Sequence, residues 1–98
     1  MQITGIVEKV LPVVTGVNAR GEWKRQMVVV KEDAPIPYPD SFVITFMGDN
    51  VQKLQGVLPG QKVNVIWSAW ARMYNNSKGE EAWSNENRGA DIQVVNNL

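Results

Sequence analysis

Residues 20–25 read Arg-Gly-Glu-Trp-Lys-Arg, which sets an indole, Trp23, directly before two cations, Lys24 and Arg25, with Arg20 three positions earlier. An indole offers a flat face to another ring, and guanidinium and ammonium groups attract oxyanions. Together they are the chemistry that holds single-stranded nucleic acid, where each stacked base contributes about 1–3 kcal/mol and cations follow the phosphates. A second set lies later in the chain: Trp70, Arg72 and Tyr74 at alternate positions, then Lys78 and Trp83, with Met47 closing an earlier apolar run. Residues 50–79 carry Lys53, Lys62, Arg72 and Lys78 and no acid. Positive potential is therefore local, because the formal net charge of the chain is 0, and that excludes a uniformly basic surface for wrapping duplex.

Other chemistries lack their reagents. With no Cys and no His, disulfides, thiolate nucleophiles, the commonest general base and the commonest metal ligands are missing. The carboxylate pairs Glu32-Asp33 and Glu80-Glu81 are sequence neighbours whose side chains diverge on an extended backbone, so neither makes an acid/base couple. Asp49, after Gly48, reads as a helix cap in preference to a metal ligand. No catalytic residue, metal or cofactor is expected, and the reading is of a binding protein, not an enzyme.

A content of 44% hydrophobic and 20% charged residues over 98 positions suffices for one core and not for two, so a single domain over residues 1–98 is expected. No run approaches the roughly 18–20 apolar residues of a membrane helix. The opening Met-Gln-Ile-Thr-Gly lacks the basic and apolar regions of a secretion signal, so a cytoplasmic protein without a membrane partner is expected.

The elements that must hold these side chains are strands. Residues 2–15 are β-branched and apolar, with Gly5 and Pro12 where a long first strand could bend. Turn formers at 16–21 lead into a second strand over 22–31, making a hairpin. Pro35, Pro37 and Pro39 forbid a strand over 32–40, and 41–47 alternates as a third strand. Asp49 or Asn50 can cap a helix of about two turns with Val51, Leu54 and Leu58 on one side. Leu58-Pro59-Gly60-Gln61 then makes a type II turn into a fourth strand from Lys62. A polar connection over 74–81 precedes a last strand within 82–96, and the polar stretch 85–89 reads as a bulge or loop. Three strands, a short helix and two strands is the order of the five-stranded OB barrel; the fold class is all-β.

Alternation then assigns faces. If Val28 and Val30 point inward, Trp23, Arg25, Met27 and Val29 point outward, and Lys24 points to the inner side. Phe42, Ile44 and Phe46 are buried by the same rule, with Val43, Thr45 and Met47 outside. In the fourth strand Val63, Val65, Trp67 and Ala69 share one side, and Asn64, Ile66, Ser68, Trp70 and Arg72 the other. Trp67 reads as core. Trp23 reads equally as a stacking platform or as a cover or oligomer contact, and Trp70 as a base contact or a subunit contact. Tyr74 and Trp83 either touch ligand or pair across their hairpin. Lys31, Lys53 and Lys62 read as solvated surface, leaving Arg20, Lys24, Arg25, Arg72 and Lys78 as cation candidates, with Arg20 and Lys78 approaching a strand from two sides.

Several segments resemble a family of small bacterial OB-fold proteins of unknown function, typical of Bacteroidetes and similar to single-stranded DNA-binding proteins. They are Ile3-Thr4-Gly5, Leu11-Pro12 with Thr15-Gly16, the stretch from Arg20 to Gln26, Phe46-Met47-Gly48-Asp49, and Gly60 to Val65. The likeness covers residues 2–75; beyond them the family's aromatic-rich last strand is replaced by Ser84-Asn85-Glu86-Asn87-Arg88, and Met47 stands where relatives often carry Trp. The resemblance implies an OB fold and sequence-tolerant binding of single-stranded DNA, with RNA as a variant. The acidic recruiting tail of many single-stranded DNA-binding proteins is not expected after Val95-Asn96-Asn97-Leu98. A protein-interaction module using the same aromatic face as a subunit interface is the competing expectation. A homo-oligomer, dimer or tetramer, is expected in either case.

Overall fold

Valines 28 and 30 on one strand and Ile44 and Phe46 on another are wholly buried, and this parity decides which side of each strand faces inward. In the computed structural model, which describes residues 1–95, the chain forms six strands: β1 (Gln2–Val10), β2 (Val14–Asn18), β3 (Gly21–Glu32), β4 (Ser41–Met47), β5 (Lys62–Asn75) and β6 (Glu81–Val94). A 3-10 helix, Gly48–Leu54, joins β4 to β5. Strand neighbours run β1-β5-β6-β4-β3-β2, and β1 also pairs with β3, so the sheet closes on itself. All pairings are antiparallel except β4–β6, which meet in parallel at Thr45 and Arg88. This is an all-β OB barrel, with β1 and β2 together serving as its first strand. Closure needs Gly5, which pairs with Glu32 of β3 and with Val63 of β5. A Cβ there would drive into the Lys31 carbonyl and the Val30 side chain.

Val7, Val28, Val30, Ile44, Phe46, Val63, Val65 and Ile92 line the interior, and Leu54 and Val57 close it from the helix side. Each fully buried side chain of this size contributes about 1.5–3 kcal/mol. Trp67 is half-buried against this core, its ring centroid 6.0 Å from that of Phe42, so it packs as expected. The prolines keep 33–40 free of strand, and the type II turn is present, with Gly60 at φ +90° and the Gln61 N–H donating to the Leu58 carbonyl at 3.3 Å.

Three expectations are corrected. The long first strand breaks at 11–13, because Pro12 has no N–H to give the ladder; the Leu11 N–H still donates to the Met27 carbonyl at 3.0 Å, and the Gln26 side-chain amide donates to the Leu11 carbonyl at 2.9 Å. The helix winds with about three residues per turn. Val51 and Leu54, three residues apart, are its buried residues, and it ends at Leu54; Val57, beyond the helix, is buried as well, while Leu58 is 60% exposed. Neither Asp49 nor Asn50 caps it: the N-cap position is Met47, with no side-chain bond, and Asp49 sits in the first turn. Finally, 85–89 lies in regular ladder, and the bulge falls at Ala90, between the pairs Trp67–Gly89 and Ile66–Asp91. The expected strand end at Asn96 and the terminal residues beyond it lie outside the described residues.

Two hairpins leave the barrel in opposite directions. β3 runs antiparallel to β4, so its first half, paired with β2, extends past the Arg25–Met47 pair. β6 runs parallel to β4, so its first half, paired with β5 out to Asn75–Glu81, extends beyond the other end of β4. These arms stretch the molecule to 51 × 31 × 20 Å, with a radius of gyration of 15.2 Å against about 13 Å for a compact domain of 100 residues.

Candidate functional site

Trp23 owes its position to Gly16. The two residues are direct partners across β2 and β3. The indole lies over the glycine, where a Cβ would meet its six-membered ring. Trp23 is half-buried in this way without joining the core. Arg25, two residues on and so on the same face, sets its guanidinium carbon 5.6 Å from the ring centroid. Its cross-strand partner is Met47. Trp23, Arg25 and Met47 therefore share the outer face, as alternation predicts.

That face continues across the sheet. Met27 pairs with Thr45, Thr45 with Arg88 of β6, and Arg88 with Ser68 of β5. Paired residues project to one side, so the row leads from β3 to Trp70, Arg72 and Tyr74. Thr45 lies between Met27 and Arg88 and is only 7% exposed. Trp70 is half-buried between two cations: the guanidinium carbon of Arg88 lies 4.6 Å from its ring centroid and that of Arg72 lies 5.0 Å away. Arg88 also bonds the Glu86 carboxylate, Nη2 to Oε2 at 3.2 Å. Sequence reasoning missed Arg88 because 85–89 read as irregular. The signal was the 76–80 turn, whose Asn76 accepts from the backbone N–H groups of Lys78 and Glu80 and so sets a register that carries Arg88 to Ser68.

Other candidates are dispersed. Lys24 pairs with Thr15 and by alternation lies on the opposite face of β3 from Trp23, and both residues border a groove of about 450 Å³ between the β2–β3 hairpin and Gly48-Asp49. Glu22 and Asp49 line that groove as well, so it is not a phosphate site. Trp83 pairs with Met73 and thus occupies the opposite face of the β5–β6 arm from Tyr74, Trp70 and Arg72. Arg20 and Lys78 occupy the turns of the two arms, at opposite ends of the molecule. Lys53 and Lys62 are engaged as ion pairs, 3.8 Å from Asp91 and 3.0 Å from Asp33. Among the described residues, no carboxylate lies within 4 Å of a side-chain nitrogen of Arg20, Lys24, Arg25, Arg72 or Lys78.

Residues 2–93 match the profile of a family described as a domain of unknown function, DUF3127. The chain belongs to that family. The match runs past residue 75 and takes in the final strand as far as residue 93. No curated protein matches this DUF3127 chain in sequence. Among solved structures it is similar to the mitochondrial single-stranded DNA-binding protein Rim1 of S. cerevisiae, with TM-score 0.62 and 16% identity over 100% of this chain and 95% of the other. It is also similar to the Plasmodium falciparum SSB solved in complex with ssDNA, with TM-score 0.57 and 15% identity over 98% and 93% of the two chains. At such identities the DUF3127 domain shares the fold of these proteins.

Proposed function

We propose that this domain binds single-stranded DNA with little sequence preference, laying it across the outer face of β3, β4, β6 and β5. The observation that carries the reading is the continuity of that face: Trp23 with Arg25 and Met47 at one end, Trp70 with Arg72 and Arg88 at the other, and no carboxylate on Arg25 or Arg72. Every base has a π-face, so stacking tolerates sequence, and free guanidinium groups supply the phosphate contacts. The contact of exposed Arg25 with Trp23 is worth about 0.5–1 kcal/mol, less than a stacked base, so a base displaces it. A strand touching both Arg20 and Lys78 spans the 51 Å length, in keeping with site sizes of about 4–16 nucleotides per OB fold. The structural neighbours that bind single-stranded DNA on the same fold support the reading. Quenching of tryptophan fluorescence by oligo-dT, with oligo-U as the RNA probe, tests it. Absence of any salt-sensitive quenching or mobility shift ends it.

A second reading rests on the arm's other face. Met73 and Trp83 lie directly opposite each other, 45% and 64% exposed, on a two-stranded ribbon of a kind that is marginal in water without a further layer. We propose that this face mediates homo-oligomer assembly. Being distinct from the Trp23 face, it is compatible with DNA binding. Trp83→Ser shifts the sedimentation equilibrium toward monomer if this is right, and leaves it unchanged if not.

A further inference from the structure

Trp70 and Trp23 are both outer-face indoles next to arginines, yet their surroundings differ in kind. Trp23 has one exposed guanidinium near it and a glycine beneath it. Trp70 has two guanidiniums within about 5 Å of its centroid, contributed by different strands. Along the strand axis they stand on either side of it: Arg72 is two residues ahead, and Arg88 is paired with Ser68, two residues behind. A base cannot reach a ring so occupied without removing a cation that the ring itself holds in place. Arg88 is also tethered by Glu86, and its Nε is buried without a hydrogen-bond partner, an arrangement that leaves part of the fork's binding capacity unused.

Building on the single-stranded DNA reading, we propose that Trp70 is a positioning residue for a phosphate clamp made of Arg72 and Arg88. In this clamp Glu86 is the internal anion that an incoming phosphodiester displaces. The ring pre-orders both forks through cation–π contact, so less freedom is lost when they bind. Both lie close enough to one ring to hold two phosphates of one strand, or one phosphate from two sides. The bases at this end of the face are not read; stacking belongs to the Trp23 end.

The test uses the full chain with two probes of equal length, oligo-dT and a wholly abasic phosphodiester strand, each titrated between 50 and 200 mM salt. Arg72→Gln with Arg88→Gln should weaken both probes by the same factor and flatten the slope of log affinity against log salt by about 1.4, since each phosphate contact on a single strand contributes about 0.7. Trp70→Phe, which keeps a π-face, should bind dT nearly as the parent does, whereas Trp70→Ala should flatten the slope. Glu86→Gln should tighten both probes by more than Asp40→Asn, which changes the net charge equally at a carboxylate that pairs with no arginine among the described residues. Thermal melts establish that each variant is folded, and the Arg72→Gln with Arg88→Gln variant keeps the test decisive if Trp70→Ala is not. The clamp alone is overturned if the parent binds dT but the double variant keeps its slope, or if Trp70→Ala weakens dT and spares the abasic strand, as base stacking requires. If the parent binds the abasic strand as well as dT, and Trp23→Ala changes neither, the clamp stands and the stacking half of the functional reading fails. Failure of the parent to bind either probe overturns both.

Discussion

Gly16 and Trp23 work as a unit, and the unit can be tested from either partner. Trp23→Ala removes the ring, and oligo-dT affinity should fall by roughly 5- to 150-fold, the equivalent of about 1–3 kcal/mol for one stacked base, with a cooperative thermal transition retained. Gly16→Ala leaves the indole in the chain but puts a methyl where the ring now lies. Because Gly is itself a poor strand residue, this substitution should spare stability while displacing the ring. Affinity measured by fluorescence titration should drop toward that of Trp23→Ala, and unchanged affinity would show that the ring's seat on Gly16 is irrelevant to binding. The outward direction of Trp23 was legible because Val28 and Val30 are far too apolar to face water, and alternation does the rest. The company kept by Trp70 was not legible, because Arg88 reaches it only through pairing between distant segments.

The β5–β6 ladder decides where the second half of the face lies, and Gly89 is its most sensitive point. Its missing side chain leaves room for the Phe46 ring, which a Cβ would strike. Phe46 is wholly buried among close-packed neighbours, so Gly89→Ala should destabilise the barrel by about 1–3 kcal/mol through overpacking, read as a lower urea midpoint with an unchanged slope. A midpoint equal to that of the parent would mean that the ring can move aside. The third strand and the turn at 58–61 could be read directly, since alternation and Pro-Gly are local signals. The break at 11–13 could be read only as a bend, because whether Pro12 interrupts a strand depends on what Gln26 and Met27 supply from across the sheet. The helix was expected in the right place but carried too far: it ends at Leu54, and past Gly56, at φ +82°, the chain buries Val57 and leaves Leu58 exposed. The polar run at 85–89 defeated local reading for another reason: its polar side chains are engaged by distant segments, Asn87 donating to the Val43 carbonyl at 3.1 Å and Arg88 lying on the Trp70 ring.

A molecule with 10 cations and 10 anions attracts a polyanion only by separating its charges. Lys53, Lys62 and Arg88 are engaged in ion pairs with Asp91, Asp33 and Glu86, whereas Arg20, Arg25, Arg72 and Lys78, along the face or at its ends, have no carboxylate within 4 Å among the described residues. Net charge concealed this, and only the folded arrangement reveals it. The two faces of the arm also separate binding from assembly, so Trp83→Ser should alter sedimentation while leaving the affinity of each domain for a short oligo-dT within about twofold. The most direct test of the account is a titration of intrinsic tryptophan fluorescence with oligo-dT, for the parent and for Trp23→Ala, at 50 and 200 mM salt. Four or five phosphate contacts predict saturable quenching whose affinity falls roughly 50- to 130-fold between the two salts, with Trp23→Ala weaker at both. Quenching that ignores salt, or a Trp23→Ala protein that binds as tightly as the parent, would contradict it.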